Sequence, residues 1–314
     1  MTRTGPLATM GGLKAASPLD RWGHLAEPAA PERPGQVRAT FLGVSTILLT
    51  DGWTSILTDG FFSRPPLARV LAARLRPDRA RVKAALDRFG IGGVDTVFVV
   101  HSHYDHALDS AVVAELTGAR LVGSASTRNI ARGQGFPEDR FDEAVTGDPF
   151  GVGAFRLTAL PAEHSPGDVA PGTIDAPLRP PARARAYRTG GCYSLHVRHA
   201  GRELLIHASA NTRPGALDGY RAETVYLGIG TLGKQDESFR ERYWETLVTK
   251  TGARRVVPIH WDNFTVPLQR PLRPMPRFAD NFAATMEFLT RRSAADGVTL
   301  TLPVLGQAAD PFGE

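Results

Sequence analysis

The sequence predicts a mixed fold of β-strands and α-helices, arranged in two strand-rich halves. Short runs of β-branched and aromatic residues are typical of buried strands, as in Asp95–Val100. Amphipathic stretches that end at glycine follow several of these runs and predict helices. The alternation of strand and helix favours sheets covered by helices. A length of 314 residues with 42% hydrophobic and 22% charged residues supports a substantial core.

The first half of the chain begins with a predicted hairpin. Asp51 and Gly52 lie at its turn, because both residue types tolerate positive φ. The predicted strands of this half are residues 37–49, 53–58, 95–100 and 121–123. The predicted helices are residues 67–74, 78–89, about 107–117 and 125–132. Gly90 and Gly118 are expected to end two of these helices, and Ser124 is expected to cap the start of another.

The second half is richer in strands. Its predicted strands are residues 155–162, 192–198, 203–208, 225–230, 255–259 and 298–304, and its predicted helices are residues 236–249 and 280–292. Residues 165–190 are too long and proline-rich for a simple connector. They are either a loop that covers substrate or a disordered insertion. We expect an N-terminal arm at 1–36, one domain at 37–306 and a C-terminal tail at 307–314.

Composition limits the classes of function. The chain lacks an apolar run long enough to span a membrane and an obvious secretory signal, and Cys192 is its single cysteine, so we expect a cytoplasmic protein. The net charge is +5 and the pI about 9.6, mostly from arginine. A basic surface for nucleic acid or phosphate is the alternative to scattered, solvated arginines. The arginines are spread along the chain, so we expect a small-molecule substrate and no nucleic-acid partner; nothing indicates the oligomeric state.

Three histidines and an aspartate lie together directly after the strand 95–100. They are His101, His103, Asp105 and His106. Side chains alternate along an extended segment, so the first three would point to one side, and His106 would follow as the chain bends. The end of a sheet strand is where open α/β folds form sites. Imidazole and carboxylate groups suit Zn²⁺ and similar metals, which predicts a metal site here.

This His-x-His-x-Asp-His motif resembles the signature of the metallo-β-lactamase superfamily. Three further residues match that family's order of motifs, over roughly residues 38–306. Asp59 ends an early strand, His164 follows a later strand, and His260 ends a strand near the C-terminus. The apolar–His-Trp-Asp-x-Phe sequence that contains His260, and the Glu163-His164-Ser165 sequence, look most like the branch of sugar-phosphate lactonases and phospholipase-D-type phosphodiesterases.

The resemblance implies an α+β fold, a four-layer αβ/βα sandwich with a metal site at one edge between two sheets. It implies one tightly bound Zn²⁺, with Mn²⁺ or Fe²⁺ as alternatives, and a second ion whose presence the sequence leaves open. The implied ligands are His101, His103 and His164 for the first ion and Asp105, His106 and His260 for the second. The implied activity is attack of a metal-bound hydroxide on an ester, lactone or phosphodiester, with Asp105 orienting the water if one ion binds.

One motif departs from the family. Ser209 stands where the family usually has an aspartate that bridges two metals. A weakly active or inactive binding protein is therefore the alternative to a hydrolase, although every other ligand is retained. Asp59, His207 and Ser209 are predicted to lie around the ligands, and Trp261 and Asp262 to line the mouth of the pocket.

Overall fold

The computed structural model describes residues 19–313, and its strands form two large sheets. In spatial order the first sheet contains β16 (Ala308–Ala309), β1 (Arg38–Phe41), β2 (Ile47–Thr50), β3 (Ser55–Thr58), β5 (Thr96–Phe98), β6 (Arg120–Gly123) and β7 (Phe141–Glu143). The second contains β15 (Thr299–Leu300), β14 (Arg255–Ile259), β13 (Thr224–Gly228), β12 (Arg202–His207), β11 (Tyr193–His199), β9 (Phe155–Pro161) and β8 (Pro149–Val152). A separate pair joins β4 (Arg74–Leu75) to β10 (Ala182–Arg183).

Within residues 19–313, seven α-helices accompany the sheets. They are α1 (Leu67–Ala72), α2 (Arg79–Arg88), α3 (Tyr104–Ala107), α4 (Ser110–Thr117), α5 (Ala125–Gly133), α6 (Glu237–Trp244) and α7 (Phe282–Asp296). Asp78, Ser124 and Asp236 each accept a hydrogen bond from a backbone N–H in the first turn of α2, α5 and α6, respectively. Gly118 ends α4 in the left-handed conformation that glycine tolerates.

Strand β5 shows how the layers stack. Phe98 and Val100 belong to the core between the two sheets, whereas Val97 and Val99 belong to the core beneath the helices of the first half. This alternation follows from the period of two along a strand. All four are fully buried, as expected for a strand covered on both faces. The predicted α+β four-layer αβ/βα sandwich is confirmed.

Both sheets change from antiparallel to parallel pairing along their width. In the first sheet β3, β5, β6 and β7 are parallel neighbours, and in the second β12, β13, β14 and β15 are. The carboxyl ends of parallel neighbours meet at one edge of a sheet. The segments after β3, β5, β12 and β14 therefore deliver Asp59, His101, Ser209 and His260 to the sheet edges where the candidate site lies.

Several boundaries differ from the sequence prediction. Residues 37–49 form two strands and not one, because the backbone turns at 42–46, where Val44 has positive φ. The helix expected from about residue 107 is α4, which starts at Ser110, and the separate short helix α3 precedes it and places Asp105 and His106 on a helical turn. The insertion 165–190 pairs with β4 through β10 and buries Tyr187 at its far end.

The ends of the described chain pack onto the body. Trp22 is buried against Phe282, and Ala308–Ala309 extends the first sheet beside β1. Residues 1–18 of the expected arm lie outside the described residues. No helix in the described range is long and apolar enough to cross a membrane.

Candidate metal centre

The first group of converging side chains is His101, His103 and His164. One nitrogen from each ring lies within 4.8 Å of the corresponding nitrogens of the other two. His101 and His103 follow β5 in the first half, and His164 follows β9 in the second. The two sheets thus meet at this group, as the sequence predicted for the edge between them.

The second group is Asp105, His106 and His260. His106 Nε2 lies 3.2 Å from His260 Nε2, and Asp105 Oδ2 lies 3.7 Å from the first nitrogen and 3.5 Å from the second. Ligand atoms about 2.0–2.1 Å from a zinc ion at tetrahedral angles are about 3.4 Å apart. These three atoms therefore have the mutual spacing that a tetrahedral ion requires.

Asp59 contacts Nδ1 of His106, the ring nitrogen that is not part of the second group. Asp59 Oδ2 lies 2.9 Å from His106 Nδ1, and Ser45 Oγ lies 3.0 Å from the same nitrogen. Asp59 Oδ1 accepts the backbone N–H of Val100, which fixes the carboxylate in turn. A carboxylate on one imidazole nitrogen favours a lone pair on the other, as in carboxylate–histidine–metal triads. The position predicted for Asp59, next to the ligands, agrees with this geometry.

Asp168 stands in the same relation to the first group, and the sequence analysis did not identify it. Asp168 Oδ1 lies 3.2 Å from His103 Nε2, and Asp168 Oδ2 lies 3.9 Å from His164 Nδ1. The Thr189 hydroxyl lies 3.2 Å from His103 Nε2 and donates to Asp168. Both residues belong to the insertion 165–190. Their one signal in the sequence is an aspartate four residues after His164.

The electrostatics of the first group favour the neutral form of two of its imidazoles, those of His101 and His164. Burial, together with the neighbouring histidines, lowers the pKa of His101 well below its usual value. Burial and then His103 lower the pKa of His164 to about 4. A neutral imidazole has the free lone pair that a metal needs.

The second group carries a charge. Burial alone would raise the pKa of Asp105, but His106 and His260 outweigh it and hold that pKa well below its usual value. Burial alone would lower the pKa of His260, but the contact with Asp105 raises it. The group therefore contributes one carboxylate charge.

The two ring nitrogens of His101 test whether a metal fits. His101 is buried, and neither nitrogen has a hydrogen-bond partner among the described residues. An unpaired buried polar atom costs on the order of 1–3 kcal/mol. Coordination would satisfy one of these nitrogens, so the residues present fit a metal ion at this point.

Local backbone conformation explains how His260 reaches the second group. His260 has φ 58°, a left-handed conformation that turns the chain sharply at the end of β14. Its N–H donates to the Val44 carbonyl at 2.6 Å. A Cβ at Gly230 would lie 3.1 Å from His260 Nδ1, so glycine leaves room for the ring. Gly230 therefore serves this packing.

Ser209 and His207 lie at the end of β12 but in different surroundings. Ser209 lines the pocket, and its hydroxyl lies 3.9 Å from Cys192 Sγ. His207 is occupied elsewhere: Nδ1 lies 2.6 Å from the Ser194 hydroxyl, and Nε2 lies 2.8 Å from the Asn211 carbonyl. His207 therefore cannot replace the missing bridging carboxylate in this arrangement.

The prediction that Trp261 and Asp262 line the mouth of the pocket is wrong. The turn at His260 sends Trp261 into the core, where it packs against Phe41 and Phe282. Asp262 is fully buried, forms an ion pair with Arg64 and accepts the N–H of Val44 at 2.7 Å. Asp262 therefore fastens the turn after His260 to the loop at Val44. Phe264, two residues further on, does line the pocket.

A cavity of about 680 Å³ opens beside both groups. His103, Asp105, His164 and His260 lie in its wall. The opposite wall comes from α1, the insertion 165–190 and the segment after His260. The insertion 165–190 therefore forms part of this cavity, which has the size of a small-molecule site.

Comparison with known families agrees with this architecture. The family described as the beta-lactamase superfamily domain matches residues 54–211, half of the chain, which includes every candidate ligand except His260. The chain belongs to the metallo-β-lactamase superfamily.

A metal-dependent hydrolase of Methylobacterium nodulans is 27% identical over 237 residues, which covers 73% of this chain and 87% of that protein. A metallo hydrolase structure from Ignicoccus hospitalis has a TM-score of 0.54 and 17% identity, covering 87% of this chain and 97% of the other. CmlA, a diiron beta-hydroxylase from Streptomyces venezuelae, has a TM-score of 0.56 and 14% identity, covering 88% and 54%. At these identities the two structures show the fold alone.

Proposed function

We propose that this protein is a metal-dependent hydrolase of an ester, lactone or phosphodiester. The observation that carries the proposal is the convergence of two ligand groups on the wall of one small-molecule cavity. A bound metal ion lowers the pKa of a coordinated water and polarises a carbonyl or phosphoryl oxygen. The relative from M. nodulans, named as a metal-dependent hydrolase, supports the same class.

The residues of this chain have separate roles in binding the metal and in orienting the water. His101, His103 and His164 would hold the first ion through ring nitrogens, with Asp168 orienting His103. Asp105 stays ionised. It would therefore accept a hydrogen bond from the attacking water when a metal ion occupies only the first group.

The cavity contains a donor for the substrate. Tyr104 lines the cavity, and burial raises the pKa of its hydroxyl above the usual value, so the hydroxyl stays protonated. It is therefore available to donate a hydrogen bond to a carbonyl or phosphoryl oxygen as charge develops there.

Zn²⁺ is the proposed ion, because histidine nitrogens and a carboxylate suit it, and Mn²⁺ or Fe²⁺ are the alternatives. The first group is proposed to bind tightly and the second weakly. The substrate is proposed to be a small molecule, of the lactone or phosphodiester type. A cytoplasmic location fits a chain with one cysteine.

The test combines metal analysis with an activity panel. We expect purified protein to contain metal and to hydrolyse at least one member of a panel of esters, lactones and phosphodiesters. Chelation should remove this activity, and added metal should restore it. Metal-loaded protein that turns over none of these classes would instead support the alternative of a binding protein, which Ser209 motivates.

A further inference from the structure

Three segments that are distant in sequence frame the mouth of the cavity. They are residues 66–76, 177–188 and 264–279, called here the rim segments. Leu71, Arg185 and Met275 are examples of residues through which they line the cavity. The rim segments belong to α1 with β4, to the end of the insertion, and to the turn that follows His260.

The rim segments concentrate the positive charge of the protein. They contain ten arginines and no lysine, aspartate or glutamate, so they carry +10 in a chain of net charge +5, and the rest of the chain is net −5. These arginines are Arg69, Arg74, Arg76, Arg179, Arg183, Arg185, Arg188, Arg270, Arg273 and Arg277.

The rim arginines also differ from other arginines in their partners. All ten are exposed, and none forms an ion pair with any residue in the range 19–313. Elsewhere, exposed arginines commonly pair with carboxylates, as in Arg79–Glu115, Arg120–Asp142 and Arg132–Glu138. Of these ten, Arg183 and Arg185 line the cavity, and the other eight lie in the segments that supply part of its wall. This uncompensated charge favours a local positive potential that attracts polyanions.

Exposed apolar side chains accompany this charge. Leu67, Leu71 and Phe278 lie in the rim segments with exposed fractions of 42%, 72% and 74%, and Val169, 91% exposed, lines the same cavity. Leu67 and Leu71 are four residues apart on α1 and share one face of that helix. Four of the seven large hydrophobic residues exposed in the described chain are therefore in the rim or at the cavity wall.

We propose that the rim segments dock on an anionic lipid bilayer and open the cavity toward it. Cations attract anionic headgroups, and apolar side chains next to them enter the interfacial layer of the membrane. The apolar members are aliphatic except for Phe278, so they offer little stacking surface for the bases of a nucleic acid. Docking of this kind delivers an amphiphilic substrate to the mouth of the cavity, and it holds whether or not the proposed hydrolysis is correct.

Vesicle flotation with the purified full chain tests this proposal. We expect the protein to float with vesicles of mixed phosphatidylcholine and phosphatidylglycerol, to stay in solution with pure phosphatidylcholine, and to lose binding as salt is raised. Arg183→Gln combined with Arg185→Gln should weaken the partition roughly 30-fold, on about 1 kcal/mol for each cation. Leu71→Asp combined with Phe278→Asp should also weaken it.

The matched control combines Arg156→Gln with Val145→Asp. Arg156 is exposed without a described ion pair, and Val145 is 61% exposed; neither lines the cavity. The control should bind like the wild type, and thermal unfolding should show that all variants are folded. Absence of flotation, equal loss in the control, or binding of single-stranded RNA in place of the anionic vesicles would overturn the proposal.

Discussion

The two ligand groups are built from different chemistry although they share one centre. The first group consists of three imidazoles, of which His101 and His164 have lowered pKa values, whereas the second group includes the ionised Asp105. Among residues 19–313, no carboxylate belongs to both groups. If two dications bound here, a single carboxylate among their six ligands would offset the repulsion between them. The difference indicates that a second ion would enter against repulsion that a bridging aspartate would offset.

The largest expected effect is the loss of activity and of bound metal when a ligand of the first group is removed. We expect His101→Ala to abolish hydrolysis and to remove the tightly bound ion, with little loss of fold, because His101 stands at the sheet edge and its nitrogens have no described protein partner. Activity assays, elemental analysis and circular dichroism measure the three outcomes. His24→Ala, at an exposed histidine far from the cavity, is the control and should retain both metal and activity. Retained turnover with bound metal in His101→Ala would show that the centre is misassigned.

A smaller effect, on metal affinity, is expected at Asp168, which contacts His103 of the first group. Asp168→Asn keeps the shape of the side chain but removes the charge that orients His103. Loss of such an outer partner typically lowers metal affinity about 10- to 100-fold. Competition with a chromophoric chelator measures this affinity.

Asp175→Asn, at an exposed position of the same loop, is the control for Asp168→Asn. It should leave the affinity unchanged. If Asp168→Asn bound metal as tightly as the wild type, Asp168 would have only a structural role in fastening the insertion.

The smallest expected change is a gain at the second group. Ser209→Asp should raise the metal-to-protein ratio toward two, because the added carboxylate lies on the cavity wall where the superfamily's bridging aspartate is expected. Ser209→Ala is the control and should leave the ratio as in the wild type. A ratio that does not rise in Ser209→Asp would show that repulsion between the ions is not what limits the second site.

The fold could be predicted, and the candidate ligands could be proposed, because both depend on local patterns. Strand ends, turn residues and the spacing of His101 to His106 are visible in the sequence. Asp168 could not be predicted, because an aspartate in a proline-rich insertion gives no periodic signal. The place of Trp261 could not be predicted from its position next to His260, because the left-handed turn at His260 points the Trp261 side chain into the core.

The distribution of charge was also not visible from the sequence. The arginines are spread along the chain, and this favoured scattered, solvated positions. The fold then brings three arginine-bearing segments, separated by about a hundred and by about eighty residues, to one opening. Their clustering depends on tertiary packing, and its charge depends on the absence of aspartate and glutamate from these three segments.

The metal content of the wild-type protein and of one variant in each group tests the central claim most directly. After dialysis against a weak chelator, we predict about one ion for each wild-type chain, retained in His260→Ala and lost in His164→Ala. This result would show a tight first site that stands without the second. Two ions retained by the wild type, or an ion kept by His164→Ala and lost by His260→Ala, would contradict the account of an unequal pair of sites.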